Sequence, residues 1–181
     1  MRATRYMTGI TLVELVTTIA IVGILCGLAA PSFAHFMHDA GRTTAVNGFI
    51  HSLYLARSEA IKRGLIVSIC KSTDGETCNH RAANWDDGWI VFVNMDRDDL
   101  PQRDSGEPIL SVNQGWEAGS ITSNRLAYSF RPQVQAVVNG TLVFCDPRGA
   151  AHARAIIISH TGRPRVAQRD ASNRALRCAS G

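Results

Sequence analysis

The feature that most constrains this chain is an apolar run close to its N-terminus. From Ile10 to Ala30 the only strongly polar side chain is Glu14. About 21 residues that rise about 1.5 Å each span about 31 Å, the thickness of one bilayer core. Because Arg2 and Arg5 precede the run, the positive-inside rule predicts a cytoplasmic N-terminus. We therefore predict a transmembrane helix over residues 10–30, with the rest of the chain outside the cytoplasm.

Glu14 needs an explanation, because a carboxylate inside a membrane helix costs roughly 2.5–3.5 kcal/mol. No lysine or arginine lies one helical turn away from it. Cleavage after Gly9 would free the amine of Ile10, four residues before Glu14, as a partner in the same or a neighbouring subunit. A signal-anchor that carries this spacing by accident is the alternative.

The segment GITLVEL, residues 9–15, resembles the type IV prepilin signature. In that family a dedicated peptidase cuts after the glycine and methylates the new N-terminal amine. The resemblance implies that residues 1–9 are a leader, that cleavage and methylation occur at Gly9 and Ile10, and that Glu14 pairs with the amine of a neighbouring subunit during assembly. Phenylalanine is usual in that family at the position of Ile10.

An amphipathic helical pattern follows over residues 31–64. We expect Pro31 to end or kink the first helical stretch and Gly64 to cap the second. The apolar stripe consists of Val46, Phe49, Leu53, Ala56 and Ala60. The other faces carry Arg42, Asn47, Ser52, Arg57 and Lys62. This pattern predicts a helix that packs on a sheet.

Beyond residue 64 the pattern changes to short strands separated by Gly, Pro, Asn and Asp. The candidate strands are Leu65–Lys71, Trp89–Val93, Ile109–Val112, Leu126–Phe130, Leu142–Cys145, Ala155–Ser159 and Arg165–Ala167. A long N-terminal helix followed by such strands predicts an α+β fold, with a β-rich domain over residues 65–181.

The cysteines indicate an oxidised domain. Cys26 lies inside the apolar run, whereas Cys70, Cys78, Cys145 and Cys178 lie in the part predicted to be outside the cytoplasm. Four cysteines there favour two disulfides. Their order suggests the pairs 70–78 and 145–178, out of three possible pairings. Zinc binding is the alternative, but no CxxC or close Cys/His spacing supports it.

Two further segments extend the resemblance. GWIVFVNMDRDDLPQRDSGEPIL (residues 88–110) and FCDPRGAAHARAIIISHTGRPRV (residues 144–166) resemble the GspH/FimT group of minor pilins and pseudopilins. The resemblance implies a type IV pilin-like fold, in which the N-terminal helix packs on two antiparallel β-sheets. It also implies an inner-membrane subunit with a periplasmic domain. The implied partners are major and other minor pilins, the prepilin peptidase and the inner-membrane assembly platform.

Charge is unevenly distributed along the chain, although the net charge is only +4. Residues 74–107 hold nine acids against three arginines. From Cys145 onward two aspartates, Asp146 and Asp170, face seven arginines: Arg148, Arg154, Arg163, Arg165, Arg169, Arg174 and Arg177. Such asymmetry predicts an anionic partner, and the planar guanidinium group suits phosphate.

The arginines at 163 and 165 stand out within this basic segment. Gly162 supports a turn before them, and residues two apart in a strand face the same way, so both could reach one phosphate backbone. GRPRV also fits the GRxR pattern of the FimT branch, which is linked with DNA binding in natural transformation. The resemblance implies that Arg163 and Arg165 are central phosphate contacts. The tail extends this charge through Arg169, Arg174 and Arg177, with Arg148 and Arg154 predicted close to the tail.

No base-reading element is evident, so we predict non-specific, salt-sensitive DNA binding. The alternatives are an assembly-only minor pilin, whose arginines pair with acids of neighbouring pilins, and a GspH-like pseudopilin of type II secretion. The acidic loop between residues 94 and 107 misses the EF-hand register, because Asp99 and Ser105 stand where glycine and glutamate are required. We assign no metal site, no cofactor and no catalytic constellation, and we predict that the protein is not an enzyme.

Overall fold

The computed structural model describes residues 9–132 and 139–178. It forms two compact units, one up to Asp39 and one from Ala40 onward. The first unit contains the N-terminal part of a long helix, whose apolar side chains are exposed. The second contains the rest of this helix and every described strand. Apart from Gly9, the predicted leader lies outside the described residues.

Helix α1 spans Leu12–Arg63. Because it continues through Pro31, the option that this proline ends the helix is wrong. Gly64 has a φ of +68°, and its N–H donates to the carbonyl of Ala60 at 3.0 Å, which confirms the predicted C-terminal cap. No single helix in the described chain passes a length and hydropathy test for a membrane span, whereas Leu12–Gly27 and Ser32–Arg63 pass it together as a bent pair.

In the described part of the chain, eight strands form two antiparallel sheets. Their bounds are β1 Ile66–Lys71, β2 Gly88–Asn94, β3 Ile109–Gln114, β4 Ser120–Ser123, β5 Ala127–Phe130, β6 Gly140–Cys145, β7 Arg154–Ile158 and β8 Pro164–Ala167. The first sheet has the order β3-β2-β1-β5 and the second β4-β6-β7-β8. The α+β prediction with two antiparallel sheets is therefore confirmed. Strand β4 was not predicted, since it has four residues and only Ile121 among them is buried.

Phe49 of α1 lies at the centre of the core and is inaccessible to solvent. Its ring contacts Trp85 and Trp89 at centroid distances of 5.4 and 5.1 Å, and Tyr128 and Phe144 at 6.0 and 6.4 Å. Tyr128 belongs to the first sheet and Phe144 to the second. One helical side chain thus packs against both sheets, and the whole predicted apolar stripe is buried with it.

Two polar helix residues are buried as well, although the helical pattern assigns them to other faces. Ser52 accepts a hydrogen bond from Nε1 of Trp89 at 2.9 Å. The Arg42 guanidinium donates to the Asp146 carboxylate at 3.0 Å and to the carbonyl of His152 at 2.6 Å. Both groups exchange water for protein partners, on β2 for Ser52 and in the segment between β6 and β7 for Arg42, which limits the cost of burying them.

Asp146 holds two arginines at the end of β6. Its carboxylate is inaccessible to solvent, and Arg148 donates to both of its oxygens, at 3.1 and 2.7 Å. The bonds from Arg148 lower the pKa of Asp146 to about 2, while burial opposes the shift and the charge of Arg42 contributes to it. The cluster Arg42–Asp146–Arg148 fastens α1 to the second sheet.

Both disulfides suggested by the order of the cysteines are present. Cys70–Cys78 has a Cα–Cα distance of 5.6 Å and Cys145–Cys178 one of 5.8 Å. The first closes a short loop beside β1. The second holds the C-terminal segment, whose Leu176 packs with Cys145 and Ile157 on the second sheet. This segment is therefore an ordered part of the domain.

We expect Phe49→Ala to lower the free energy of unfolding by about 3–5 kcal/mol, because it removes the ring that contacts both sheets and leaves a cavity. Urea denaturation of the full-length chain in non-ionic detergent measures this loss. Tyr54→Ala is the matched control, since Tyr54 lies on the same helix but is half exposed; its effect should stay below about 1 kcal/mol. Equal losses in the two variants would contradict a core centred on Phe49.

Asp146→Asn tests the buried ion cluster through pH. The folded-state pKa of Asp146 lies below the ordinary 3.8, so its stabilisation is fully present above about pH 5 and is lost as the pH falls towards 2. The difference in unfolding free energy between wild type and variant should therefore shrink by on the order of 2 kcal/mol between pH 6 and pH 2. Denaturant titrations across this range measure it. Asp99→Asn, in an exposed loop, should follow the wild type throughout, and a constant gap for Asp146→Asn would contradict the assignment.

Candidate nucleic-acid interface

The turn between β7 and β8 presents the two central arginines. The Gly162 N–H donates to the carbonyl of Ser159 at 2.8 Å, and the Ser159 N–H donates to the carbonyl of Arg163 at 3.2 Å. The Ser159 hydroxyl accepts from the Arg163 N–H at 3.2 Å and lies 2.8 Å from the Thr161 hydroxyl. Gly162 has a φ of +73°, a conformation that favours glycine. These contacts give the turn a defined shape.

Arg163 and Arg165 are both exposed, and neither guanidinium has a partner among residues 9–132 and 139–178. Arg165 pairs with Ile157 across the two strands. Its side chain therefore lies on the sheet face opposite to Ile156 and Ile158, which belong to the main core. Arg163 is the last residue of the turn, directly before the first residue of β8.

Helix α1 contacts this turn through one of its arginines. Arg57 donates a hydrogen bond to the carbonyl of Thr161 at 2.5 Å. The acceptor is neutral, so the bond orients the guanidinium without cancelling its charge. The helical pattern of the sequence assigns Arg57 only to a polar helix face, because no local signal relates it to a turn that lies 104 residues away.

Arg148 and Arg154 lie at the opposite end of the second sheet from this turn. Arg148 follows β6 and is paired with the buried Asp146. Arg154 begins β7 and donates to the carbonyls of His152 and Ala153. The predicted proximity of these two arginines to the tail agrees with the structure, but the structure does not bring them to Arg163.

The tail arginines belong to a folded segment at that same end. Arg169 forms a β-bridge with Ala175 and donates to the carbonyl of Asn173 at 3.0 Å. Arg174 forms an ion pair with Asp170 at 2.8 Å, whereas Arg177 is exposed. Among the residues that the structure describes, two of the seven C-terminal arginines, at 148 and 174, thus have a carboxylate partner.

The N-terminal residues of the predicted processing site are exposed. Gly9 and Ile10 precede α1, and Thr11 caps the helix by accepting a hydrogen bond from the Glu14 N–H at 3.2 Å. Within the described residues the Glu14 carboxylate has no partner. The structure thus leaves this carboxylate accessible to a second chain.

Some carboxylates of the acidic loop accept hydrogen bonds from the backbone of the loop itself. Glu107 is buried and accepts from the N–H groups of Met95 and Asp104, at 2.5 and 3.0 Å. Asp98 accepts from the Gln102 N–H and from the Asn94 side chain. In the described chain, no three Asp, Glu, His or Cys residues gather into a possible metal site.

Comparison with known proteins gives matches of two kinds. A fimbrial protein of Dichelobacter nodosus is 27% identical over 141 residues, which cover 75% of this chain and 84% of that protein. The minor type IV pilin FimU of Pseudomonas aeruginosa superposes with a TM-score of 0.53 at 19% identity, over 73% of this chain and 92% of FimU. A second crystal form of FimU gives a TM-score of 0.52 at 18% identity, over 69% and 91% of the two chains.

A family model assigns most of the globular part. The family described as "Type II transport protein GspH" matches residues 45–162, more than half of the chain. The matched region begins within α1 and ends at Gly162 in the β7–β8 turn, so it includes both sheets up to the turn that precedes β8. The chain therefore belongs to the GspH family, as a GspH/FimT-like minor type IV pilin.

Proposed function

We propose that this protein is a minor subunit of a type IV pilus that binds DNA non-specifically and promotes DNA uptake in natural transformation. The observation that carries the proposal is the pair Arg163 and Arg165. Both are exposed and without a counter-charge among the described residues, on a turn shaped by backbone hydrogen bonds. Because the backbone of the turn is already ordered, phosphate binding has to order only the two side chains.

The interaction is electrostatic and indifferent to sequence. The turn and β8 offer neither a helix for the major groove nor an aromatic platform for bases, so contacts go to phosphates. Such binding is modest in a single subunit, and several subunits in one filament would gain avidity.

The N-terminal segment supplies anchoring and assembly in this proposal. Residues 10–30 hold the subunit in the inner membrane, with the N-terminus in the cytoplasm and the globular domain in the periplasm. The prepilin peptidase removes residues 1–9 and methylates the amine of Ile10. Glu14 then pairs with the amine of a neighbouring pilin as the assembly platform inserts the subunit into the filament.

The second candidate is a subunit that serves assembly alone, in a pilus or in a GspH-like pseudopilus of type II secretion. The name of the matching family favours it, and it requires the same leader and Glu14. In that case the exposed arginines pair with acidic side chains of neighbouring pilins, and the purified chain has no affinity for DNA.

The double variant Arg163→Gln/Arg165→Gln should weaken binding to unrelated duplexes equally. Loss of two phosphate contacts should reduce the slope of log affinity against log salt by about 1.8, since each contact contributes about 0.9. Fluorescence anisotropy with the full-length chain in non-ionic detergent measures both quantities.

Arg81→Gln/Arg97→Gln is the control for this experiment. It removes the same charge from two exposed residues in loops of the first sheet and should leave the salt slope unchanged. Identical slopes for wild type and Arg163→Gln/Arg165→Gln would refute the DNA site, and the absence of any binding by the wild type would favour the assembly-only candidate.

Glu14→Gln should leave cleavage intact and reduce incorporation into filaments, because it removes the charge that pairs with a neighbour's amine. Mass spectrometry of protein from its native cell should find Ile10 as the first residue in both forms. Sheared filaments should contain several-fold less of the variant, whereas the exposed Glu76→Gln should match the wild type. Retention of residues 1–9 in the assembled protein would contradict the processing scheme.

A further inference from the structure

Arg125, in the turn between β4 and β5, lies at the same end of the second sheet as the β7–β8 turn. The turn between β4 and β5 is fastened to β6, because the Thr141 N–H donates to the Asn124 side chain at 2.9 Å. The next residue, Arg125, is exposed, and its own N–H donates to the Ser123 hydroxyl at 3.0 Å. Arg125 therefore has a fixed backbone position.

The side chain of Arg125 is oriented by neutral groups. Its Nε donates to the carbonyl of Asn139 at 2.8 Å, and one terminal nitrogen donates to the side-chain oxygen of Asn139 at 3.0 Å. An amide acceptor positions the guanidinium without cancelling its charge. The other terminal nitrogen has no hydrogen bond among the described residues, so the group retains donors for an anion.

The strand register places Asn139, the hydrogen-bond partner of the Arg125 side chain, at the same end of the sheet as Arg163. Gly140 pairs with Ile158, and Ile158 pairs with Pro164. Asn139 lies one residue before β6, and Arg163 lies one residue before β8. Both residues therefore lie at the same end of the sheet. Two strand spacings of about 4.8 Å separate the backbones of Asn139 and Arg163 by about 10 Å.

Charge distinguishes this end of the sheet from the other. We use the name turn-end cluster for Arg57, Arg125, Arg163 and Arg165. Within the described chain their guanidinium groups either donate to neutral acceptors or have no partner. At the opposite end the aspartates Asp146 and Asp170 pair with Arg42, Arg148 and Arg174. The cationic field at the turn end is thus less compensated by carboxylates than that of the tail.

We propose that the DNA backbone crosses this end of the second sheet and that Arg125 binds a phosphate distinct from those bound by Arg163 and Arg165. This inference rests on the proposed DNA binding and specifies its surface. The site is the edge formed by the β4–β5 and β7–β8 turns. Arg165 borders the tail there, because it lines one shallow cavity with Arg169, Asp170 and Asn173. Arg57 is a positioning residue that holds the Thr161 carbonyl and adds its charge.

Two single variants that each remove one positive charge test where the DNA-binding surface lies. Arg125→Gln should weaken duplex binding by the full-length chain about fivefold to tenfold at 0.1 M salt and reduce the log–log salt slope by about 0.9. Arg177→Gln removes the same charge from an exposed tail residue and should change the affinity less than twofold. Anisotropy titrations between 0.05 and 0.3 M salt are sufficient, with the thermal midpoint of each variant as a check on folding.

Arg125→Lys separates charge from structure. It keeps the cation but not the paired bonds to Asn139, so it should recover the salt slope of the wild type. If Arg125→Lys binds DNA as weakly as Arg125→Gln, the loss of affinity comes from a changed turn structure, and the inference is overturned.

The failure of this inference is distinguishable from the failure of the proposed function. If Arg163→Gln/Arg165→Gln weakens binding while Arg125→Gln matches Arg177→Gln, DNA binding stands and the turn-end site is wrong. A larger loss for Arg177→Gln than for Arg125→Gln would move the interface to the tail. If DNA binding is unaffected by all of these changes, the cluster instead serves contact with the acidic surface of another pilin, and both proposals fall.

Discussion

The packing of one helical stripe against two sheets is the interaction on which the rest of this domain depends. Phe49 contacts aromatic rings of both sheets, and the residues on either side of it along the stripe are buried with it. The inner faces of both sheets are therefore buried against this helix. Arg42 and Arg57 then fix the helix at two further points, near the end of β6 and near the β7–β8 turn.

Charge compensation divides the basic C-terminal segment into groups with different roles. Arg148 has a buried carboxylate partner, and its role is to hold the helix and sheet together with Arg42. Arg174 stabilises a turn through Asp170. Arg163 and Arg165 have no such partner in the described residues, so their charge faces solvent. Residues of one type within one segment therefore separate into structural cations and available cations.

Arg57 and Arg125, at the proposed surface, are held by the same kind of hydrogen bond. Arg57 and Arg125 donate to carbonyl or amide oxygens, which orient a guanidinium group while its charge persists. A carboxylate in the same position would give a stronger bond but would cancel the field that attracts an anion. Neutral acceptors are thus compatible with both a defined turn and an uncompensated positive potential.

The local features of this protein were predictable from its sequence. The buried stripe of α1, the cap at Gly64, seven of the eight strands and the two disulfide pairs follow from periodicity, glycine chemistry and cysteine order, all of which act over short distances. The tertiary structure alone revealed β4, the burial of Arg42 and Ser52, and the difference between Arg148 and Arg163. It also brought Arg57 and Arg125 to the end of the sheet that carries Arg163. These outcomes depend on which distant residues become neighbours, since burial and ion pairing are set by packing across the whole domain, and no short segment encodes them by itself.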